Sequence, residues 1–97
     1  MALKTTRFDS ADYLDSDEAV SAYLEEALET GDPSFITHAL GTVARARGMS
    51  EIAKQTGLSR ESLYKALSAE GHPEFSTVLR VMQALGLRIS VAGTEPR

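Results

Sequence analysis

Arg60, Glu61, Tyr64, Lys65 and Ser68 stand at i, i+1, i+4, i+5 and i+8, a spacing that places them on one stripe of a helix. The stripe is polar, rich in hydrogen-bonding groups and basic on balance, which suits a face that reads duplex DNA. A helix is about the right width for the major groove of B-DNA, and the first turn of an inserted helix reaches base edges while neighbouring groups hold phosphate. Arg60 suits a bidentate bond to guanine, Glu61 accepts from a cytosine amino group, and Lys65 reaches guanine or phosphate. Ser59, Ser62 and Tyr64 carry hydroxyls suited to phosphate oxygens, and Arg45, Arg47 and Lys54 flank the stripe as backbone clamps. Taken singly, each reads equally well as an ordinary solvated side chain. The spacing gives them weight.

That stripe must be held by a corner between two short helices. Met49 to Thr56 reads as the first, with Ile52 and Ala53 inside, and Arg60 to Ser68 as the second, capped by Ser59 and with Leu63 inside. Helices that cross steeply need a small residue where their axes approach, here Ala53, and a turn residue tolerant of positive φ four positions later, here Gly57. Leu58 and Leu63 pin the corner, and Ala66 and Leu67 share their side. Around this unit lie three more helical segments. Asp17 to Thr30 is capped by Ser16; a second begins at Asp32 and Pro33 and runs to Gly48; the last spans Ser76 to Leu85 and is stopped by Gly86. Leu87 to Val91 alternates apolar and polar residues, which predicts a strand whose open edge pairs with a second copy through Leu87, Ile89 and Val91, or else an extended tail.

Composition bounds the rest. Ninety-seven residues, 42% hydrophobic and 25% charged, suit a small globular unit without room for a large cofactor. The chain has no cysteine, which removes disulfides, a thiolate nucleophile and Cys-based zinc sites and makes the cytoplasm the expected compartment. The apolar runs are far too short to span a bilayer, so no membrane role is expected. His38 and His72 lack metal-spaced partners, Asp9, Asp12, Asp15 and Asp17 miss the offsets of a calcium loop, and no phosphate-binding loop or nucleophile elbow occurs. Neither an enzyme nor a bound metal or cofactor is expected.

The net charge of −4 divides unevenly. Residues 1–48 carry −5, whereas Arg45 to Lys65 carries +3. Acid in front and base behind fit two different partners, or else solvated helix faces. We divide the chain into an acidic extension with one helix, residues 1–31, and a DNA-binding domain, residues 32–97, that ends in the short strand.

Within an all-α pattern, the small residue, Gly57 and the leucines resemble the five-helix, λ-repressor-like (Xre) helix-turn-helix family over Asp32 to Gly86. A narrower resemblance covers nearly the whole chain. Gly31-Asp32-Pro33, the run from Ala44 to Ser50, Gly57 to Glu61 and Leu63 to Ser68 are similar to the addiction-module antidote family, as are the acidic lead-in and the ending from Ala84 to Val91. The resemblance implies a HigA-like antitoxin that binds a RelE/ParE-like toxin and represses their shared operon by binding operator DNA. Where many members of the wider family carry a glutamine near the start of the helix before the turn, this chain has Met49 and Ser50, so weaker or differently anchored operator binding is expected.

Toxins of that superfamily are typically basic, and the acidic front half complements them. Phe8, Tyr13, Leu14 and Tyr23 are the expected apolar anchors and Glu25 and Glu26 the expected charges, although Tyr23 and Leu24 are also well placed to pack their helix on the core. Two alternatives stay open from the residues alone: a solitary or phage-type repressor without a toxin, and a protein-interaction module that uses the fold as scaffold.

Overall fold

The computed structural model describes residues 16–68 and 70–94, and among them five helices and no strand. They are α1 (Asp17–Glu29), α2 (Pro33–Arg47), α3 (Met49–Thr56), α4 (Arg60–Ala66) and α5 (Phe75–Ala84). The starts of α1 and α2 have a visible local cause. The Ser16 side chain accepts from the Ala19 N–H at 3.1 Å, and the Asp32 carboxylate accepts from Ser34 N–H at 3.1 Å ahead of Pro33. Both satisfy amide hydrogens that a helix leaves without partners in its first turn. None of the five is long and apolar enough to cross a membrane.

The helices close around one core. Val20, Leu24 and Ala27 of α1, Leu40 and Val43 of α2, Ile52 of α3, Leu63 of α4 and Val81 of α5 belong to the same buried cluster. α3 is the hub, packing on α2, α4 and α5, while α1 lies against α2. The expected five-helix unit after Asp32 therefore has four helices, and the fifth described helix is α1, which shares their core. Arg47 reinforces this joint: its guanidinium is 2.6 Å from the Asp17 carboxylate across α1 and α2. Because Asp17 is exposed to water, the pair is worth on the order of 0.2–1 kcal/mol, and apolar burial holds the joint.

Two other expectations change. α4 ends at Ala66 rather than Ser68, and the Ser68 hydroxyl turns back to donate to the Lys65 carbonyl at 2.9 Å, so Ser68 leaves the stripe. The strand expected over Leu87 to Val91 does not form. Leu87 N–H donates to the Met82 carbonyl and the Leu87 side chain packs against the core. The segment then runs on without regular structure because, among the described residues, no extended neighbour offers it a ladder.

α2 and α4 approach closely at Gly41. A Cβ on that residue would lie 2.6 Å from the Leu67 carbonyl oxygen and 3.3 Å from the Leu67 Cβ. In an unobstructed helix interior, alanine is favoured over glycine by roughly 0.5–1 kcal/mol. Here the sign should reverse: Gly41→Ala should destabilise the fold by about 1–3 kcal/mol through overpacking, read as a lower urea midpoint. An unchanged or raised midpoint contradicts the close approach.

Candidate nucleic-acid interface

The corner between α3 and α4 is built from a few side chains. Gly57 adopts the left-handed conformation, φ 79° and ψ 11°, which a residue with a Cβ enters only at a cost. Thr56 locks the turn from inside. Its buried hydroxyl donates to the Ala53 carbonyl at 3.2 Å and accepts from the Leu58 N–H at 3.3 Å. Ser59 then starts α4: the Ser62 N–H donates to Ser59 Oγ at 3.0 Å, and the Ser59 hydroxyl donates to Ser62 Oγ at 2.9 Å.

α4 is oriented by what it buries. Leu63 is 0% exposed, Leu67 is buried, and Leu58 packs half-buried at the edge of the core. Met49, at the start of α3, is likewise a core residue. With that side inward, Arg60, Glu61, Ser62, Tyr64 and Lys65 are all exposed, so the structure brings the central residues of the stripe onto one accessible face. The Arg60 guanidinium carbon sits 5.8 Å from the centroid of the Tyr64 ring. A cation over an aromatic face at this distance and exposure is worth on the order of 0.5–1 kcal/mol, enough to bias the arginine toward one direction. Arg60 is thereby aimed by its own helix.

The flanking cations differ in what they are free to do. Lys54 is exposed on α3. Arg45 is exposed on α2 and donates to Thr42 Oγ1 at 3.3 Å, close to the approach of Gly41 and Leu67 and thus beside the end of α4. Arg47 is engaged with Asp17 and half-buried, so its first partner is α1. The Ser59 hydroxyl has its proton directed to Ser62, which leaves the Ser62 proton as the one available to a phosphate from this pair.

The acidic face lies on another element. Glu25 and Glu26 are exposed on α1, while Tyr23 is half-buried and packed against the core and Leu24 is within it. Phe8, Tyr13 and Leu14 lie outside the described residues. His38 and His72 are both exposed, and among the described residues no three His, Cys, Asp or Glu side chains are placed to hold a metal ion.

A family model described as "Probable addiction module antidote protein" matches residues 4–93. The chain belongs to that family. It is also similar to an uncharacterized protein of Haemophilus influenzae (strain Rd), 51% identical over 84 residues that make up 87% of each chain. No solved structure matches.

An antidote implies a toxin as partner. In this chain the acidic α1 surface and the mixed, basic-leaning α4 surface occupy different helices. Two working parts of the corner escaped the sequence reading. Thr56 was invisible because a threonine at a helix end has many uses. The Tyr64 ring was passed over in favour of its hydroxyl, although an arginine four residues before a tyrosine on one helix is the signal that finds it.

The stack makes a prediction that needs no DNA. Ring currents should shift the Arg60 δ protons upfield in the wild type and in Tyr64→Phe, and the shift should vanish in Tyr64→Ala. Equal Arg60 shifts in all three proteins would show that the ring does not hold the arginine.

Proposed function

We propose that this chain is the antitoxin of a type II toxin-antitoxin module: it neutralises a RelE/ParE-like toxin by direct binding and represses their shared operon through α3 and α4, acting as a λ-repressor-like helix-turn-helix. The observation that carries the DNA-binding half is the exposed face of α4, where Arg60, Glu61 and Lys65 surround the Arg60–Tyr64 stack while Leu63 anchors the opposite side. In this reading α4 enters the major groove, Arg60 bonds a guanine edge, Glu61 accepts from a cytosine amino group, and Lys65, Ser62, Arg45 and Lys54 supply base or phosphate contacts. Tyr64 serves chiefly by holding Arg60. The toxin-binding half rests on the family and on the exposed acids Glu25, Glu26 and Glu29 of α1, which would speed encounter with a basic protein and disfavour wrong partners.

A two-fold dimer completes the picture, since it presents two α4 helices to a palindromic site. In such a dimer the backbone edge of Leu87 to Val91 gains the neighbour it lacks among the described residues. Val91, 94% exposed, is open to that contact, whereas Leu87 packs on its own core and Ile89 borders Leu28 and Met82. The cell compartment in this reading is the cytoplasm, where operator and toxin are both found, and no catalytic step is assigned to the chain.

Two measurements test the reading. A mobility shift on the DNA upstream of the chain's own reading frame should weaken with salt, log affinity falling against log salt at a slope of roughly −3 to −6 per protomer pair. Arg60→Ala should cost about 1–3 kcal/mol of preference for that DNA over a scrambled duplex. No shift at any salt concentration would leave the corner as scaffold alone. Co-expression with the protein encoded by the adjacent reading frame, which this reading expects to be small and basic, should rescue growth and co-purify the pair; a neighbour that is not basic, or that neither arrests growth nor binds, would remove the toxin half and favour a solitary repressor.

A further inference from the structure

On the surface formed by α1, α2 and α5 lie three depressions that share walls. The central one, about 80 Å³, is lined by apolar residues that include Leu28, Ile36, Val78, Met82 and Ile89. It shares Leu28, Met82 and Ile89 with a cleft of about 140 Å³ beside the C-terminal segment. It also shares Ile36 and Val78 with a wider depression of about 530 Å³ at the start of α2. Together they make one groove. Leu28 is 52% exposed and Ile89 44%, and Phe75, 68% exposed, precedes Val78 and Met82 at i, i+3 and i+7 on the same face of α5. Large apolar side chains left exposed around an apolar floor, here Leu28, Ile89 and Phe75, are the usual mark of a protein contact.

The rim is acidic. Glu25 lines the cleft and Asp32 the wider depression, and Glu29 follows Glu25 by one turn of α1, exposed. Among the described residues that line the groove, Arg88 is the one lysine or arginine. We propose that the groove is the toxin-binding surface: a basic protein lays an apolar helix or strand into it and sets its cations against Glu25, Glu29 and Asp32. This rests on the antitoxin reading above and names the surface that reading left open.

Charge decides between this occupant and a second copy of the chain. A two-fold interface buries the same patch from both copies, so two surfaces that each carry more carboxylates than arginines would share it, with one arginine from each side in compensation. Like charges facing one another across an interface are strongly disfavoured. A cationic partner turns the same rim into attraction. The wider depression borders, at Gly71 and His72, another that Ser62 and Lys65 of α4 line, but no residue of α3 or α4 lines the part around Leu28, Met82 and Ile89, so a chain bound to DNA through α4 keeps that part accessible, and one antitoxin can engage operator and toxin together.

The test uses the full chain, with the protein that the adjacent reading frame encodes as probe. Leu28→Ser, at an exposed site, should weaken the complex about tenfold or more, as truncation of an interface anchor does. Glu25→Lys combined with Glu29→Lys should slow association and flatten its dependence on salt. Both variants should keep the wild-type melting curve and the mobility shift on upstream DNA. If the probe binds wild type and both variants alike, the groove is not the toxin site, although the antitoxin reading survives. Sedimentation of the free wild-type chain as a dimer that Leu28→Ser dissociates would assign the groove to a second copy and overturn the proposal. Failure of the probe to bind even the wild type would sink the antitoxin reading and this surface with it, while leaving DNA binding to stand on its own shift.

Discussion

Leu63 is the pivot of this molecule. It is 0% exposed on a helix of seven residues, and because side chains on a helix repeat every 3.6 residues, the burial of one fixes the direction of the rest. With Leu63 inward and Leu67 beside it, Arg60, Glu61 and Lys65 face water. A helix this short gains little from its own hydrogen bonds. Its orientation comes from the core it plugs and from the turn locked by Thr56 and Gly57 that joins it to α3. The exposed α4 face is thus a consequence of packing on the other side of the same helix.

Around that pivot the chain separates two kinds of surface. The α4 face is mixed in charge and stiffened by the Arg60–Tyr64 stack. In the proposed reading that stiffness would matter, because an arginine already held in direction loses less freedom on bonding a base edge. The groove across α1, α2 and α5 is apolar at its floor and carries Glu25 and Asp32 at its rim. For the proposed partners, apolar area would supply affinity and the carboxylates would favour a cationic protein over duplex DNA. With a net charge of −4, the proposed pair of functions would depend on charge being arranged by region, acid on α1 and a basic-leaning mixture on α4.

α1 links the two. An acidic helix at the front of the chain reads naturally as an appendage, yet Val20, Leu24 and Ala27 enter the common core and Asp17 pairs with Arg47. Its inner face completes the fold, and its outer face carries Leu28, Glu25 and Glu29. One helix can do both because its apolar and polar residues fall on different sides of a 3.6-residue repeat.

The sequence by itself determined the elements. Ser16, Asp32-Pro33, Gly48, Gly57, Ser59 and Gly86 act through local hydrogen bonding and local dihedral preference, so the five helices were legible to within one or two residues from punctuation and periodicity. The outward set Arg60, Glu61, Tyr64 and Lys65 was legible for the same reason. What only the tertiary structure decided depends on residues distant in the chain. Arg47 meets Asp17 thirty positions away and becomes a joint rather than a free clamp. Leu87 folds back on its own core, its segment finds no ladder partner among the described residues, and Gly41 leaves room for the Leu67 carbonyl that lies against it. Leu28, Ile36, Val78 and Ile89, scattered over sixty residues, line one groove only after three helices and the tail converge. Local patterns carry local geometry; a shared surface exists only once the chain has closed on itself.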